Sequence, residues 1–523
     1  MDFAIKIGML VAFFATMIGV GFYCRRHSTD VNGFVLGGRS VGPWLTAFAY
    51  GTSYFSAVVF VGYAGQFGWN FGVASTWAGI GNAILGSMLA WAVLGRRTRV
   101  MSQHLNSATM PQFFEGRYDS KKLKLAAAVI IFVFLIPYTA SLYNGLSRLF
   151  GMAFNIDYSI CVIAMAVLTA IYVIVGGYMA TAINDFIQGM IMLFGIVAVI
   201  IAVLKNHGGF TEAFNTLSQV TDPEVSQNAA FTSFFGPDPL GLLGVVMLTS
   251  LGTWGLPQMV QKFYAIKSEK SISKGMIIST VFALVVAGGC YFLGGFGRLI
   301  FPSTEAMQAA GGYDAIIPTM LSELSPILVG VVVVLVLSAS MSTLSSLVMA
   351  SSSTLTLDFI KGTLAKKMTE KKQLLTMRVF IAVFILVSVV IAIVQYKANL
   401  SFIAQLMGIS WGALAGAFLG PFLYGLYWKR TSKASVWVCF VFSTVVMIAN
   451  MVVKPLFPAI LQSPINCGVF CMVTGLVIVP LVSLFTKAPD GAHIEQVFSC
   501  YDKKVVVSAK EAIGDPVHEE DEL

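Results

Sequence analysis

Charged residues are scarce in this chain. Asp, Glu, Lys and Arg make up 11% of its 523 residues, hydrophobic residues make up 57%, and the mean hydropathy is +0.81. A soluble globular protein of this length could not cover its surface with so few charges. The composition excludes a soluble globular protein and predicts a polytopic membrane protein.

Histidine is also rare, and this limits the chemistry that the chain can perform. The five histidines fall in predicted loops or in the C-terminal tail, at His27, His104, His207, His493 and His518. Intramembrane proteolysis or acyl transfer needs a histidine or paired carboxylates at membrane depth. No GxxxxGK[ST] stretch is present for ATP-driven pumping, and the seven cysteines show no metal-ligand spacing. The sequence therefore predicts a protein that is not an enzyme.

Long apolar runs are abundant. Thirteen runs of about 20 residues match the thickness of a hydrocarbon core, and they lie near residues 3–23, 42–69, 72–95, 125–152, 158–176, 180–204, 239–261, 273–297, 326–358, 377–396, 401–426, 434–453 and 466–486. The first run lacks a basic leader and a small-residue cleavage site, so we expect it to remain as the first span. The sequence predicts one transmembrane domain over residues 1–486.

The basic residues predict the orientation. With the N-terminus outside, six of the 33 Lys and Arg residues face outward, and the other 27 face the cytoplasm, as the positive-inside rule requires. Residues 487–523 are then a solvated cytoplasmic tail. The net charge of +8 indicates contact with anionic lipid of the bilayer, and gives no reason to propose nucleic acid or an obligate protein partner.

The ninth span carries a dense run of Ser and Thr. Ala339, Ser342, Thr343 and Ser346 stand at i, i+3, i+4 and i+7, on one helical face, and Ser345 lies beside them. Hydroxyl and carbonyl oxygens at membrane depth can replace the hydration shell of a small cation. The alternative is a packing seam, in which the hydroxyls bond back to their own helix.

Two spans are interrupted at comparable depth. Span two reads AFAYGTSYFSAVVFVGYAG, and span seven, five spans later, reads TSLGTWGLPQMVQKF. Small, polar and proline residues at mid-depth predict discontinuous helices whose unwound carbonyls line a buried site. Matching interruptions indicate an inverted five-plus-five repeat, with halves at about 42–204 and 239–426.

Asp185, in GGYMATAINDFIQGM, is the only acidic residue well inside a predicted span. An unpaired carboxylate there costs about 3 kcal/mol, so it is a candidate for function. The alternative is a cap at the start of span six, because that span begins near residue 180.

Three segments together resemble the sodium:solute symporter family. They are FVLGGRSVGPWLTAFAYGTSYFSAVVFVGYAG, GGYMATAINDFIQG and GLPQMVQKFYAIKS. The resemblance implies an all-α membrane protein with thirteen spans, a LeuT-like core and Na⁺ as the coupling ion.

The resemblance also implies the site residues. Sodium would be held by the carbonyls of Thr52, Phe55 and Ala339 and the hydroxyls of Ser342 and Thr343. A second sodium, giving two ions per cycle, would lie among Ser345, Ser346 and Asp185. The implied substrate-binding residues are Ser56, Tyr138, Thr249, Thr253, Trp254 and Gln258.

The chain departs from the family pattern at four positions, and the first is Asn184, which stands in the place of a Thr. Gln258 and Lys262 replace the family's usual His and Arg, and Tyr54 stands where proline-transporting relatives carry Asp, which argues against proline as the solute. We expect a plasma-membrane symporter for a small carboxylate-bearing solute, such as an amino acid, a monocarboxylate or a pantothenate-like compound. The alternatives are a proton-coupled carrier that uses Asp185 and a transporter-like membrane sensor.

Overall fold

The computed structural model describes residues 2–25, 29–154, 157–223, 225, 228–365, 367–398 and 403–501. In its first half the α-helices are α1 Asp2–Cys24, α2 Val31–Leu36, α3 Pro43–Tyr54, α4 Ala64–Phe71, α5 Thr76–Gly81, α6 Arg96–His104, α7 Met110–Tyr118, α8 Lys121–Phe154, α9 Tyr158–Asn206 and α10 Phe210–Ser218. The second half contains α11 Pro239–Leu251, α12 Pro257–Ala265, α13 Glu269–Gly294, α14 Thr304–Ala309, α15 Ile316–Ser322, α16 Pro326–Thr354, α17 Glu370–Ala398, α18 Ile403–Tyr427, α19 Lys433–Val452, α20 Pro464–Phe485 and α21 Gly491–Phe498. The described residues form no named β-strand.

The number of apolar helices differs from the predicted number of spans. Within the described ranges ten helices are long and apolar enough to cross a membrane, or eleven if a bent pair counts as one. Predicted spans five and six both fall in α9, whose 49 residues contain a kink at Gly177 (φ 59°, ψ −155°). A straight helix of that length would measure about 74 Å, more than twice the hydrocarbon core. The chain is a multi-pass membrane protein, and the count of thirteen spans stays a prediction.

The interruption predicted in span two is confirmed. Pro43 occupies the first turn of α3, where its missing N–H leaves no bond unmade. The helix ends at Tyr54, and Phe55 is extended (φ −88°, ψ 116°). The Ser56 hydroxyl then accepts a hydrogen bond from the N–H of Val58 at 3.2 Å, at the start of the π-helical segment Val58–Tyr63. The break leaves backbone carbonyls outside the regular helical pattern.

The interruption predicted in span seven is confirmed as well. After α11 a short 3-10 turn covers Gly252–Gly255, and Leu256 is extended (φ −83°, ψ 125°) before Pro257 opens α12. The two halves are bent by 49°. Proline explains the bend, because it disfavours a helical conformation in the residue before it and lacks an N–H.

Helix α16 lies in the centre of the molecule. It packs against α1, α3, α8, α9, α12 and α17, and its side chains are buried from Leu335 to Thr354. A helix that is apolar or hydroxyl-bearing on all sides has no face suited to water, so it takes the core position. The Tyr172 hydroxyl of α9 fixes the pairing of the two helices by donating to the Met341 carbonyl at 2.9 Å.

Segments that were predicted to share one side of the membrane contact each other. Arg39 donates to the carbonyl of Ser107 at 2.6 Å, joining two loops predicted to be cytoplasmic. At the other end, Asn206 donates to the carbonyl of Glu323 at 3.2 Å, joining two loops predicted to be external. Which of the two ends faces the cytoplasm stays a prediction.

The start of the predicted solvated tail is folded. In α21, Ile494, Val497 and Phe498 are buried, and the Arg117 guanidinium lies 5.0 Å from the centre of the Phe498 ring. The prediction of a solvated tail is wrong for this stretch, because the helix has an apolar face that docks on α6 and α7. Residues 502–523 lie outside the described part.

Candidate ion and solute site

Five oxygen-bearing residues meet where the break after α3 touches α16. The Thr343 hydroxyl lies within hydrogen-bond distance of three carbonyl oxygens, those of Thr52 (3.0 Å), Phe55 (3.2 Å) and Ala339 (3.1 Å). The Ser342 hydroxyl lies 3.2 Å from the Thr52 oxygen and 3.1 Å from that of Ala339. All five residues are buried. They are the five that were predicted to hold sodium, and the structure brings all of them together.

Backbone geometry explains why the oxygens converge. The extended Phe55 ends the helical hydrogen-bond ladder, so the nearby carbonyls turn toward α16. On α16 the three contributing residues stand at i, i+3 and i+4, which is one face. A hydroxyl can also turn its lone pairs toward a cation. The cluster therefore offers five neutral oxygens, a set suited to a small monovalent cation.

A second polar group lies beside this cluster and contains a lysine. Lys262 of α12 donates to the Ser346 hydroxyl at 3.0 Å, and its Nζ lies 3.7 Å from Oδ2 of Asp185. Both members of the ion pair are buried, with exposed side-chain fractions of 3% and 0%. Ser345 donates to the Ser342 carbonyl at 2.8 Å. The residues predicted for a second sodium thus include two that already contact the ammonium group.

The position of Asp185 excludes the helix-cap interpretation. Helix α9 bends at Gly177, eight residues before Asp185, whereas a capping side chain lies at the first turn of its helix. Asp185 is fully buried and pairs with Lys262. It is an intramembrane carboxylate with a basic partner, as such residues require.

Four of the six predicted substrate residues already bond to the protein. The Thr253 hydroxyl and the Trp254 indole N–H reach the carbonyls of Gly86 (3.2 Å) and Leu85 (2.9 Å). Thr249 donates to its own helix at Val245, and the Ser56 hydroxyl accepts from the backbone. Thr253 and Trp254 thus tie the second interrupted span to the segment Asn82–Leu89, whereas the bonds of Thr249 and Ser56 are local.

The other two carry unpaired polar atoms. Neither amide atom of Gln258 has a hydrogen-bond partner among the described residues, and the Tyr138 hydroxyl, beside Ser56 and Trp411, forms no close hydrogen bond there. Both side chains are fully buried. A buried polar group without a partner costs about 1–3 kcal/mol, so such groups indicate a place where a ligand or water bonds. Trp411, which was not predicted, lies edge-on to Tyr138 with ring centres 6.0 Å apart, and its indole N–H also forms no close hydrogen bond among the described residues.

Comparison with known proteins assigns the chain to a family. The model of the sodium:solute symporter family matches residues 34–441. A sodium/proline symporter of Staphylococcus aureus is 30% identical over 503 residues, which are 93% of this chain and 94% of the relative. The chain belongs to the sodium:solute symporter family. The resemblance inferred from the three segments is confirmed, and so is the prediction that the protein is not an enzyme, since the relatives are transporters.

Solved structures show the same fold for this symporter-family member. A Na⁺-coupled sialic acid symporter superposes with a TM-score of 0.73 at 18% identity, over 93% of this chain and 98% of the other. A manganese transporter of Eremococcus coleocola superposes with a TM-score of 0.51 at 12% identity, over 90% of this chain and 96% of the other. The all-helical architecture of this family member is therefore LeuT-like.

Several buried charged residues of this family member were not predicted from the sequence, and Asp358 and Lys262 are two of them. Asp358, placed at the end of a predicted span, is fully buried and accepts hydrogen bonds from Thr109 (2.6 Å) and Gln112 (2.8 Å) at the start of the connecting helix α7. Lys262 was noted as a departure from the family pattern and counted among the 27 basic residues facing the cytoplasm, but its side chain is buried. Its position one turn after Gln258, in an interrupted span, is the signal that would have placed it inside.

Proposed function

We propose that this protein is a sodium-coupled symporter that imports a small organic solute with a carboxylate group by alternating access across the plasma membrane, with its C-terminus in the cytoplasm. The observation that carries the proposal is the meeting of five buried neutral oxygens from Thr52, Phe55, Ala339, Ser342 and Thr343. Membership of the sodium:solute symporter family supports sodium as the ion.

The ion ligands belong to two separate elements, and this supports coupling. Thr52 and Phe55 flank the break after α3, whereas Ser342 and Thr343 belong to α16. An ion bound by both elements stabilises the arrangement in which they are in contact. Ser56 and Ala57 follow the ion ligands directly, and Ala57 packs on Gly145 of α8, the helix that carries Tyr138. Sodium binding therefore orders the neighbouring solute site, and the coupling is reciprocal.

The chemistry near α12 supports a carboxylate on the solute. Pro257 opens this nine-residue helix, and the unpaired amide of Gln258 lies in its first turn. The positive end of a helix dipole and an amide donor both favour a negatively charged group. The solutes in the names of the two relatives, proline and sialic acid, both carry a carboxylate. The aromatic rings of Tyr138 and Trp411 would cover the apolar part of the solute.

Uptake into proteoliposomes tests this function. The panel contains proline and other amino acids, monocarboxylates, pantothenate and sialic acid, each driven by an inward sodium gradient or by an inward proton gradient. We expect sodium alone to drive accumulation.

Ser342→Ala combined with Thr343→Ala should abolish sodium-driven uptake at normal expression. Ser353→Ala is the matched control, because in the described part of the chain that hydroxyl bonds only within α16, to the carbonyls of Met349 and Ala350.

The same experiment decides between the proposal and its alternatives. Normal sodium dependence in the double variant would show that the five-oxygen cluster is not the ion site. Accumulation driven only by the proton gradient would favour a proton-coupled carrier, although the pairing of Asp185 with Lys262 disfavours that role. Binding of a solute without any gradient-driven accumulation would favour a membrane sensor.

A further inference from the structure

We propose that the ammonium group of Lys262 is a tethered cation in the place of a second sodium ion, so that the transporter couples one sodium ion to each solute. The inference deepens the proposed function and rests on it. It concerns the polar group next to the five-oxygen cluster, where Asp185, Ser345 and Ser346 would otherwise form a second ion site.

The contacts of the ammonium group resemble those of a bound cation. Its Nζ donates to the Ser346 hydroxyl at 3.0 Å, lies 3.7 Å from Asp185 Oδ2, and lies 5.1 Å from the centre of the Tyr178 ring. A lysine has three N–H donors, and the face of an aromatic ring attracts a cation. An oxygen, a carboxylate and a ring therefore surround one positive charge.

The charge balance leaves no place for another cation. Asp185 contributes one negative charge and Lys262 one positive charge, and among the described residues no other charged side chain pairs with either of them. Both are buried at membrane depth, where the low dielectric strengthens repulsion between like charges. A sodium ion among Ser345, Ser346 and Asp185 would lie next to the ammonium without a second carboxylate to balance it.

The lysine also connects the elements that a second sodium would connect. Lys262 of α12 contacts Asp185 of α9 and Ser346 of α16, the two helices that carry the predicted ligands of a second sodium. The Ser346 hydroxyl in turn lies 2.9 Å from that of Ser53 in α3. Ser53 follows Thr52, a predicted ligand of the first sodium. One turn earlier on α12 is Gln258, with its unpaired amide. The Lys262 ammonium, as part of the chain, thus links the ion site to the solute site throughout the transport cycle. A second sodium ion in its place would have to bind and leave in each cycle.

Binding of radioactive sodium to the purified full-length protein tests the inference without knowledge of the solute. We expect one sodium ion per chain in the wild type and none in the Ser342→Ala, Thr343→Ala double variant. Lys262→Ala removes the tethered charge and leaves Asp185 unpaired, so we expect it to bind two ions. Adding Asp185→Asn to Lys262→Ala should return the count to one.

Wild-type protein that binds two ions, with Asp185→Asn reducing the count to one, would overturn the inference and leave the proposed function intact. Folded, monodisperse Lys262→Ala that still binds one ion would also overturn it. If that variant does not fold, the wild-type count decides alone. Wild-type protein that neither binds sodium nor accumulates any solute of the panel on a sodium gradient would overturn the proposed function together with this inference.

Discussion

The hydroxyl of Thr343 donates to the backbone carbonyl of Thr52, 291 residues earlier in the chain, at 3.0 Å. This contact joins an interrupted helix of the first half of the chain to a continuous helix of the second half. Both residues are fully buried. The carbonyl oxygen of Thr52 therefore lies where α3 meets α16, and alternating access would move these two helices apart.

Replacing Thr343 by valine keeps the shape of the side chain and removes its oxygen. We expect the sodium concentration for half-maximal uptake to rise about tenfold or more, since one lost contact to a charged partner costs about 1.5–3 kcal/mol. Thr343→Ser retains the hydroxyl and should stay close to the wild type. Equal sodium affinity in the two variants would contradict a role for the hydroxyl as an ion ligand.

The breaks in two helices could be predicted because their cause is local. Gly51, Thr52 and Ser53 precede the extended Phe55, and Pro257 stands at the 49° bend of the second interrupted span. The oxygen face of α16 could be predicted too, since the spacing of Ser342 and Thr343 fixes their common side. The pairing of this face with the carbonyls of α3 came from the family resemblance, because spacing within one helix does not reveal its neighbour.

Contacts that depend on tertiary packing could not be predicted. Asp185 and Lys262 are far apart in sequence and meet only because α9 and α12 both approach α16. The burial of Asp358 depends on two donors from a connecting helix, Thr109 and Gln112. The docking of α21 could not be predicted either, since the hydrophobic pattern of a short amphipathic segment does not reveal whether the segment packs on the protein.

Gly68 marks a place where α4 and α13 touch through their backbones. A Cβ at Gly68 would lie 2.0 Å from the carbonyl carbon of Gly294, which cannot move aside as a flexible side chain could. Gly68→Ala should therefore force the helices apart and lower the midpoint of thermal unfolding in detergent. Gly19→Ala is the control, because nothing lies within 4 Å of a Cβ there. Equal midpoints would contradict this close approach.

Arg298 anchors the loop after α10 to the C-terminal end of α13. Its guanidinium pairs with Asp222 at 2.7 Å, donates to the Trp69 carbonyl at 3.0 Å, and stacks on the Trp69 ring. Lysine keeps the charge but lacks the planar guanidinium, which stacks on the ring while its N–H groups donate along its edge. We therefore expect Arg298→Lys to lower stability by about 2 kcal/mol. The exposed pair of Arg96 and Glu269 provides the control. Arg96→Lys should change the unfolding midpoint little, because exposed pairs contribute about 0–1 kcal/mol.

Asp314 lies outside the spanning helices and makes stability depend on pH. Burial raises the pKa of this carboxyl from 3.8 to about 6, although Arg148 and the N–H of Ile403 oppose the rise. At a pH between 3.8 and about 6, the Asp314 carboxyl keeps its proton in the native state but has lost it in the unfolded chain. The contribution of this carboxyl to the free energy of unfolding therefore falls as the pH rises through this range.

Asp314→Asn mimics the protonated carboxyl. The variant should match the wild type near about pH 4 and exceed it by about 3 kcal/mol near about pH 7.5, since a pKa difference of one unit corresponds to about 1.4 kcal/mol. Thermal unfolding of both proteins over this range measures the gap. The exposed Glu305→Gln is the control for loss of one carboxylate. A gap between Asp314→Asn and the wild type that stays constant with pH would show that the Asp314 carboxyl does not titrate in this range.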